Sequence, residues 1–383
     1  MRPSTDVFIV GGGPAGLAAA IALRRKGFRV TVADGAKPPI DKACGEGLMP
    51  DTLAALADLG VVVDARDGFA FRGVRFLDGH CAIDASFPGG YGIGVRRPIL
   101  HQKMIERAAA LGVALLWETP VTRLLPPSLA LDDSAAAPQN AGVELAGGSE
   151  ISARWIIGAD GASSRVRRWS GLQAFTQCDS RFAFRRHYHV TPWSDCSEVY
   201  WGKKAQAYVT QVSECEICVA LVTRNPKQRI DAALEEFPEL AHRLANAQAT
   251  SVERGAVTSI HCLARVTRGN VALLGDASGA VDAITGEGLC LGFRQAAALA
   301  RALELGDLRS YQQAHRRLAR RPTFMARLML TLDGRPTLRR RVLRTFAGDP
   351  QIFENLLAVH VGKTSLRHLA ATGARFGWKL LAA

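Results

Sequence analysis

Residues 6–16 read Asp6-Val7-Phe8-Ile9-Val10-Gly11-Gly12-Gly13-Pro14-Ala15-Gly16. The opening run is short, apolar and rich in β-branched residues, as a buried parallel strand should be. A helix follows at about 14–26, with Leu17, Ile21 and Ala22 on one face and Gly27 as its stop. The next strand, FRVTVAD, covers 28–34, and the right-handed crossover rule makes the pair parallel. The glycines match G-x-G-x-x-G. Gly11 allows the tight turn, Gly13 lets the backbone approach a pyrophosphate, and Gly16 lets helix and strand pack closely. Free N–H groups and the positive dipole end of the helix face the phosphates. Asp34 closes the second strand, 18 residues after Gly16, where a carboxylate can accept from a ribose. The unit specifies an α/β, Rossmann-like dinucleotide-binding domain.

Outward from this unit, 383 residues suit two domains rather than one small core. No stretch of about 18 uncharged apolar residues exists, so nothing in the sequence reads as a membrane span. The start of the chain lacks the pattern of a secretory signal. Eight scattered cysteines, at 44, 81, 178, 196, 215, 218, 262 and 290, argue for reduced thiols in a cytoplasm. Cys215 and Cys218 form C-x-x-C, but the surrounding residues read as strands, where positions three apart point to opposite faces. They cannot jointly hold a metal there, and none is expected. The net charge of +13 is uneven: from Arg301 onward 16 Lys+Arg stand against 5 Asp+Glu. Such a region can meet an anionic membrane surface or an acidic carrier protein, or be a solvated helical face. Nucleic acid is not expected, because no recognised binding motif accompanies the charge.

From Phe69 the apolar period alternates through Phe71, Val74 and Phe76 to Asp78-Gly79, then Cys81 and Ile83, which reads as a hairpin. Helix returns over 98–112, and ISARWIIGADG at 151–161 supplies another buried strand. Strands dominate 182–263, with a helical insertion near 228–247, and 126–142 is the best surface-loop candidate. A strand leads into the Gly-rich turn at 268–279, a helix covers about 287–305, and the rest is helical, basic and broken at Pro322, Pro336 and Pro350. The expected organisation is a discontinuous nucleotide-binding domain (1–68, 97–175 and 264–320). A substrate domain of antiparallel sheet (69–96 and 176–263) is inserted into it, and a basic helical C-terminal region (321–383) follows.

Two further corners accompany the first motif: Gly158-Ala159-Asp160-Gly161, followed by Ser163, Arg165 and Arg168, and Gly275-Asp276-Ala277. This three-part set resembles the p-hydroxybenzoate-hydroxylase-like flavoproteins over roughly residues 5–320. Within them, Lys42-Ala43-Cys44-Gly45-Glu46-Gly47-Leu48-Met49-Pro50 and the long GDASGAVDAITGEGL at 275–289 resemble the geranylgeranyl-reductase-related branch. The resemblance implies an FAD-dependent oxidoreductase. It implies that Gly11, Gly13, Pro14, Ala15, Gly16, Asp34, Arg97 and Val121 hold the adenosine and phosphate part of FAD, and Gly275 and Asp276 the ribityl or pyrophosphate segment. Cys44, Gly45, Gly286, Gly288 and Leu289 would lie by the flavin ring. Asp160 would help in binding both FAD and NAD(P)H. A helix beginning near Glu287 would stabilise negative charge on the reduced ring; alternatively, Thr285–Gly288 merely caps that helix.

Cys44 is the tentative catalytic residue. A thiolate there would need a lowered pKa, which Lys42 could supply, whereas a buried Cys otherwise behaves as a small hydrophobe. By alternation His187 and His189 share one strand face, opposite Tyr188, and either line the substrate chamber as acid or base or pack in the sheet. Only one full G-x-G-x-x-G is present, so NAD(P)H is expected to visit transiently, or a reductase partner to supply electrons. The leading expectation is a monooxygenase acting on a small apolar or aromatic molecule, as in secondary metabolism. The alternative is reduction of isoprenoid-type C=C bonds. Halogenation is less favoured, because the six tryptophans contain no W-x-W-x-I-P and Trp193 and Trp201 are eight apart. An electron-transfer flavoprotein docking a partner through the basic region is the remaining class. Residues 352–383 carry apolar clusters at helical spacing that would cap the chamber, form a dimer face or rest on a membrane. The protein is expected to be a monomer or homodimer, cytoplasmic or peripheral to a membrane.

Overall fold

The computed structural model describes residues 3–79, 81–125, 141–172, 175–364 and 373. Nearly all of the expected loop 126–142, and most of 352–383 beyond Thr364, lie outside the described residues. The strand Ser4–Val10 sits at the centre of an eight-stranded sheet. Val30–Ala33 and Ala114–Leu116 run parallel on one side of it, and Glu150–Gly158 and Val271–Leu273 on the other. Thr267–Arg268 adds an antiparallel edge.

Helix α1 (Pro14–Arg24) lies on this sheet and is buried almost all round, from Pro14 to Leu23. Its outer face is covered by α7 (Gly288–Glu304). Leu17, Ile21 and Leu23 are fully buried and contribute about 2 kcal/mol each by the area rule. The approach of strand and helix is so close that a Cβ on Gly16 would stand 1.9 Å from the Gly11 carbonyl oxygen. Only glycine fits there. Between them come α2 (Pro50–Asp58), α3 (Arg97–Ala110), α4 (Arg165–Trp169), α5 (Ile230–Ala233) and α6 (Pro238–Leu244).

A nine-stranded sheet carries the second layer, in the order Gly279–Ala280, Arg254–Leu263, Phe175–His189, Glu216–Thr223, Ala205–Ser213, Cys196–Trp201, Gly73–Asp78, Cys81–Ser86, with Gln248–Ala249 paired off this path. Its pairings are antiparallel except Cys196–Trp201 with Gly73–Asp78, which is parallel. The expected run from Phe69 to Phe76 is not one strand. Phe69–Phe71 joins a small three-stranded sheet with Gly47–Leu48 and Gly92–Gly94, and the chain crosses to the large sheet at Arg72, whose N–H bonds the Asp195 carbonyl. The alternation shifts phase at this crossing, from Phe69 and Phe71 to Val74 and Phe76, where one continuous strand would have kept it.

Helices α8 (Leu308–Asp333), α9 (Pro336–Gly348) and α10 (Pro350–His360) follow. Pro336 and Pro350 open helices, where a missing N–H costs nothing. Pro322 corrects the expected break: α8 runs straight through it. The lost hydrogen bond costs about 3 kcal/mol, offset by burying Pro322, Met325 and Ala326 on the inner side of the helix.

Candidate active site

One cavity of about 750 Å³ connects the two layers. It is lined at one end by Asp34, Pro120 and Val121, then by Gly11, Gly13, Pro14 and Ala15, then by Cys44–Gly47, Gly275, Asp276, Gly286, Gly288 and Leu289. The other end is an apolar chamber of Phe71, Phe76, Val199, Met325, Met329, Phe353 and Leu357. Its roof is α8, α9 and α10, so the basic C-terminal helices turn an apolar side inward.

The glycine turn is built to receive an extended anionic group. α1 has no side-chain cap at Gly13, which leaves the first-turn N–H groups without a protein acceptor. A Cβ on Gly13 would meet nothing within 4 Å, so the backbone there faces open cavity; Gly45 and Gly288 are equally clear. Asp34 Oδ2 accepts from Gly12 N at 2.7 Å and Oδ1 from Ala36 N at 2.8 Å, which fixes the carboxylate at the cavity's edge. The buried Nε of Arg97, another lining residue, has no partner. This donor set, a helix N-terminus with a carboxylate one strand away, fits a dinucleotide.

His101, missed in the sequence, secures the turn from below. Its Nε2 is 2.8 Å from the Gly12 carbonyl oxygen, and Nδ1 accepts from Ile40 N at 3.0 Å. Burial pushes its pKa down, so the ring stays neutral. At the other corner His315 Nε2 lies 2.9 Å from Ser278 Oγ, which itself donates to the Gly275 carbonyl at 2.8 Å. Burial lowers the His315 pKa to about 4.

Asp160 lines the cavity, but its carboxylate is occupied at the start of α4, accepting from Arg165 N at 2.6 Å and Val166 N at 3.2 Å. Asp276 is half exposed and paired with Lys42 Nζ at 3.2 Å. Lys42, expected to supply the charge beside Cys44, is instead engaged by Asp276. That place is taken by Arg97, whose Nη1 is 3.7 Å from the Cys44 sulfur, while Glu46 N donates to the same sulfur at 3.4 Å. Thr285 does not cap α7: its hydroxyl donates to the Asp282 carbonyl, and α7 begins at Gly288 with Glu287 at the N-cap and no side-chain cap.

Gly16 is the one proposed cofactor residue that does not line the cavity; it is consumed in packing against Gly11. His187 and His189 are not among the residues lining the cavity, and His187 is packed within the sheet. Ala183, Arg185 and His187 do share a strand face, but the 41–46 segment lies over the last two. Arg185 pairs with Asp41, and His187 Nε2 donates to Glu46 Oε2 at 2.7 Å, with both side chains of that second pair fully buried. His187 Nδ1 accepts from Ser251 Oγ at 2.8 Å. Glu46, at φ 59°, also accepts from Arg97 N through Oε1 at 2.9 Å. It thereby ties the Cys44 loop to the nine-stranded sheet and to α3. Tyr188 faces the opposite side, as alternation requires, and His189 is exposed at the strand's end. Cys215 is exposed in the turn before Glu216–Thr223, and Cys218 is buried within that strand. Burial holds the Cys218 thiol protonated, donating to the Cys44 carbonyl at 3.6 Å.

The family model described as an FAD binding domain matches residues 4–306. Menaquinone reductase of Mycobacterium tuberculosis is 28% identical over 80% of this chain and 78% of its own length. The 3-demethoxyubiquinol 3-hydroxylase of Escherichia coli is 28% identical over 81% of this chain and 82% of its own. A geranylgeranyl bacteriochlorophyll reductase-like protein from Thermoplasma acidophilum shares the fold at a TM-score of 0.72, with 19% identity, 87% of this chain and 91% of that one covered.

Proposed function

This chain belongs to the FAD-binding-domain family, and from that premise we propose that it is an FAD-dependent monooxygenase of a ring-bearing molecule with an apolar chain. The family includes oxygenases and reductases, and its members act on small apolar molecules. Reduced FAD supplies two electrons, to O2 or to the substrate. The observation that carries the oxygenase reading is the continuity of the glycine-lined cradle with a chamber roofed by three helices. A dry chamber protects an oxygenation from side reaction with water. The names of the relatives, a menaquinone reductase and a demethoxyubiquinol hydroxylase, support a quinol- or phenol-type ring as substrate class.

In this reading the α1 N-terminus, with Pro14 and Ala15, would hold the pyrophosphate, Asp34 the ribose, and Arg97 and Val121 the adenosine part. Gly275 and Asp276 would hold the ribityl segment, and Gly45, Gly286, Gly288 and Leu289 the ring edge. NAD(P)H would be a visiting reductant. Holoenzyme given NAD(P)H and an alkylphenol is expected to consume O2 and place an atom of labelled O2 in the product. Substrate-dependent NAD(P)H oxidation that persists under nitrogen would sink the oxygenase.

Cys44 on the cavity wall beside the Arg97 guanidinium favours a second reading, C=C reduction with the thiol as proton donor. Cys44→Ser is then expected to lower anaerobic turnover at least about tenfold with FAD retained. Full turnover would remove the thiol from the chemistry.

The outer side of the roof supports contact with an anionic membrane. Arg317, Arg320 and Arg327 of α8 flank the exposed Phe324, and Arg335, Arg340, Arg341 and Arg344 lie exposed on and just before α9. Each basic residue near such a surface contributes about 1 kcal/mol. Co-sedimentation with phosphatidylglycerol vesicles, lost in R320E/R327E/R341E, is expected; equal sedimentation of the triple variant would refute it. No helix among the described residues is long and apolar enough to cross a membrane.

A further inference from the structure

Along α10, Phe353, Leu356, Leu357 and His360 line the chamber at the 3–4 residue spacing of one helix face. Three are apolar and the fourth can carry a proton. His360 Nδ1 lies within ion-pair distance of Glu287 Oε2, at 3.4 Å, and neither atom has another polar partner. Glu287 is only 2% exposed and stands between Gly286 and Gly288, both on the cavity wall. The histidine therefore joins the chamber to the helix terminus that borders the cofactor cradle.

Resting on the oxygenase reading above, we infer that His360, held by Glu287, is the base that takes the proton from a ring hydroxyl of the substrate. Pairing of Nδ1 with Glu287 leaves Nε2, across the ring, for the cavity. In the step, the substrate O–H bond breaks and its electron pair stays on oxygen. The proton forms a new N–H at Nε2, and Glu287 meets the charge created on the imidazole. No oxidant enters this step, and substrate and protein together keep their net charge.

The surrounding charges are arranged for this. Arg321 of α8 lies 3.3 Å from Glu287 Oε1 and 3.0 Å from Asp51 Oδ2 of α2, and Arg294 of α7 lies 3.2 Å from the same Asp51 oxygen. The Cys290 thiol of α7 also donates to Asp51. Two carboxylates thus offset two guanidiniums, so the cation formed on His360 is balanced by the phenolate formed beside it. Burial raises the Glu287 pKa, opposed by His360 and Arg321. Glu287 is a positioning residue; His360 is the group that meets substrate.

The test needs no turnover. A 4-nitrophenol bearing an alkyl chain is bound to oxidised holoenzyme, and its ionisation is followed by phenolate absorbance as pH is varied. Half-ionisation in the wild type is expected at about tenfold higher proton concentration than in H360Q, with E287Q between them and FAD content unchanged. H360N gives the same comparison if H360Q fails to retain FAD. Identical titrations of wild type and His360 variants would overturn the assignment, as would absence of saturable probe binding. Failure of oxygen incorporation with a normal probe titration would instead sink the oxygenase reading alone.

Discussion

Gly13→Asp is expected to give a folded protein that purifies without flavin, its FAD affinity lowered at least about 100-fold, or ~3 kcal/mol. The space a Cβ would enter at Gly13 is empty of protein atoms, so the chain can fold around the new side chain. What the carboxylate would occupy is the cradle itself, at the mouth of α1, where it takes the free N–H groups and repels a pyrophosphate. Gly16→Ala provides the contrast, since its Cβ would collide with the Gly11 carbonyl and destabilise strand and helix together. Circular dichroism and flavin absorbance separate the two. Retention of stoichiometric FAD by G13D would refute the placement of the cofactor on this turn.

His187→Ala should cost about 3–5 kcal/mol of stability, because it leaves Glu46 buried and stripped of its closest partner. The pair lies 2.7 Å apart with both side chains excluded from solvent. Arg185 Nε is 3.9 Å from Glu46 Oε1 and compensates only in part. Denaturant unfolding of the apoprotein measures the loss; a cost below about 1 kcal/mol would mean that the Cys44 loop is held by its other contacts. Glu46→Gln, which keeps an acceptor for Arg97 N, should cost less than His187→Ala.

Much of this site was legible because its residues are adjacent in the chain or fixed by a short spacing. The strand, glycine turn, helix and Asp34 form a single local unit, and the corners at Asp160 and Asp276 each follow a buried strand. Local spacing says nothing, however, about which distant side chain meets which. Glu46 and His187 are 141 residues apart, and His101 reaches Gly12 across 89. Alternation placed His187 on the correct face of its strand but could not show that residues 41–46 cover that face. The Lys42 and Arg97 exchange beside Cys44 has the same origin: sequence proximity suggested Lys42, and the fold delivered the first residue of α3 instead. His360 offered no signal at all, since one histidine at the end of a largely apolar helix is unremarkable until Glu287 stands opposite.

The cavity draws one wall from the first twenty residues and its roof from residues beyond 308. A nascent chain therefore cannot assemble the complete pocket until most of it has emerged, and cofactor capture becomes one of the last folding events. FAD held in this cavity as proposed would act as a clasp between early and late segments. At a free concentration a hundredfold above its dissociation constant it adds about 2.7 kcal/mol to the folded state, so flavin supply in the cell bears directly on how long the protein survives proteolysis.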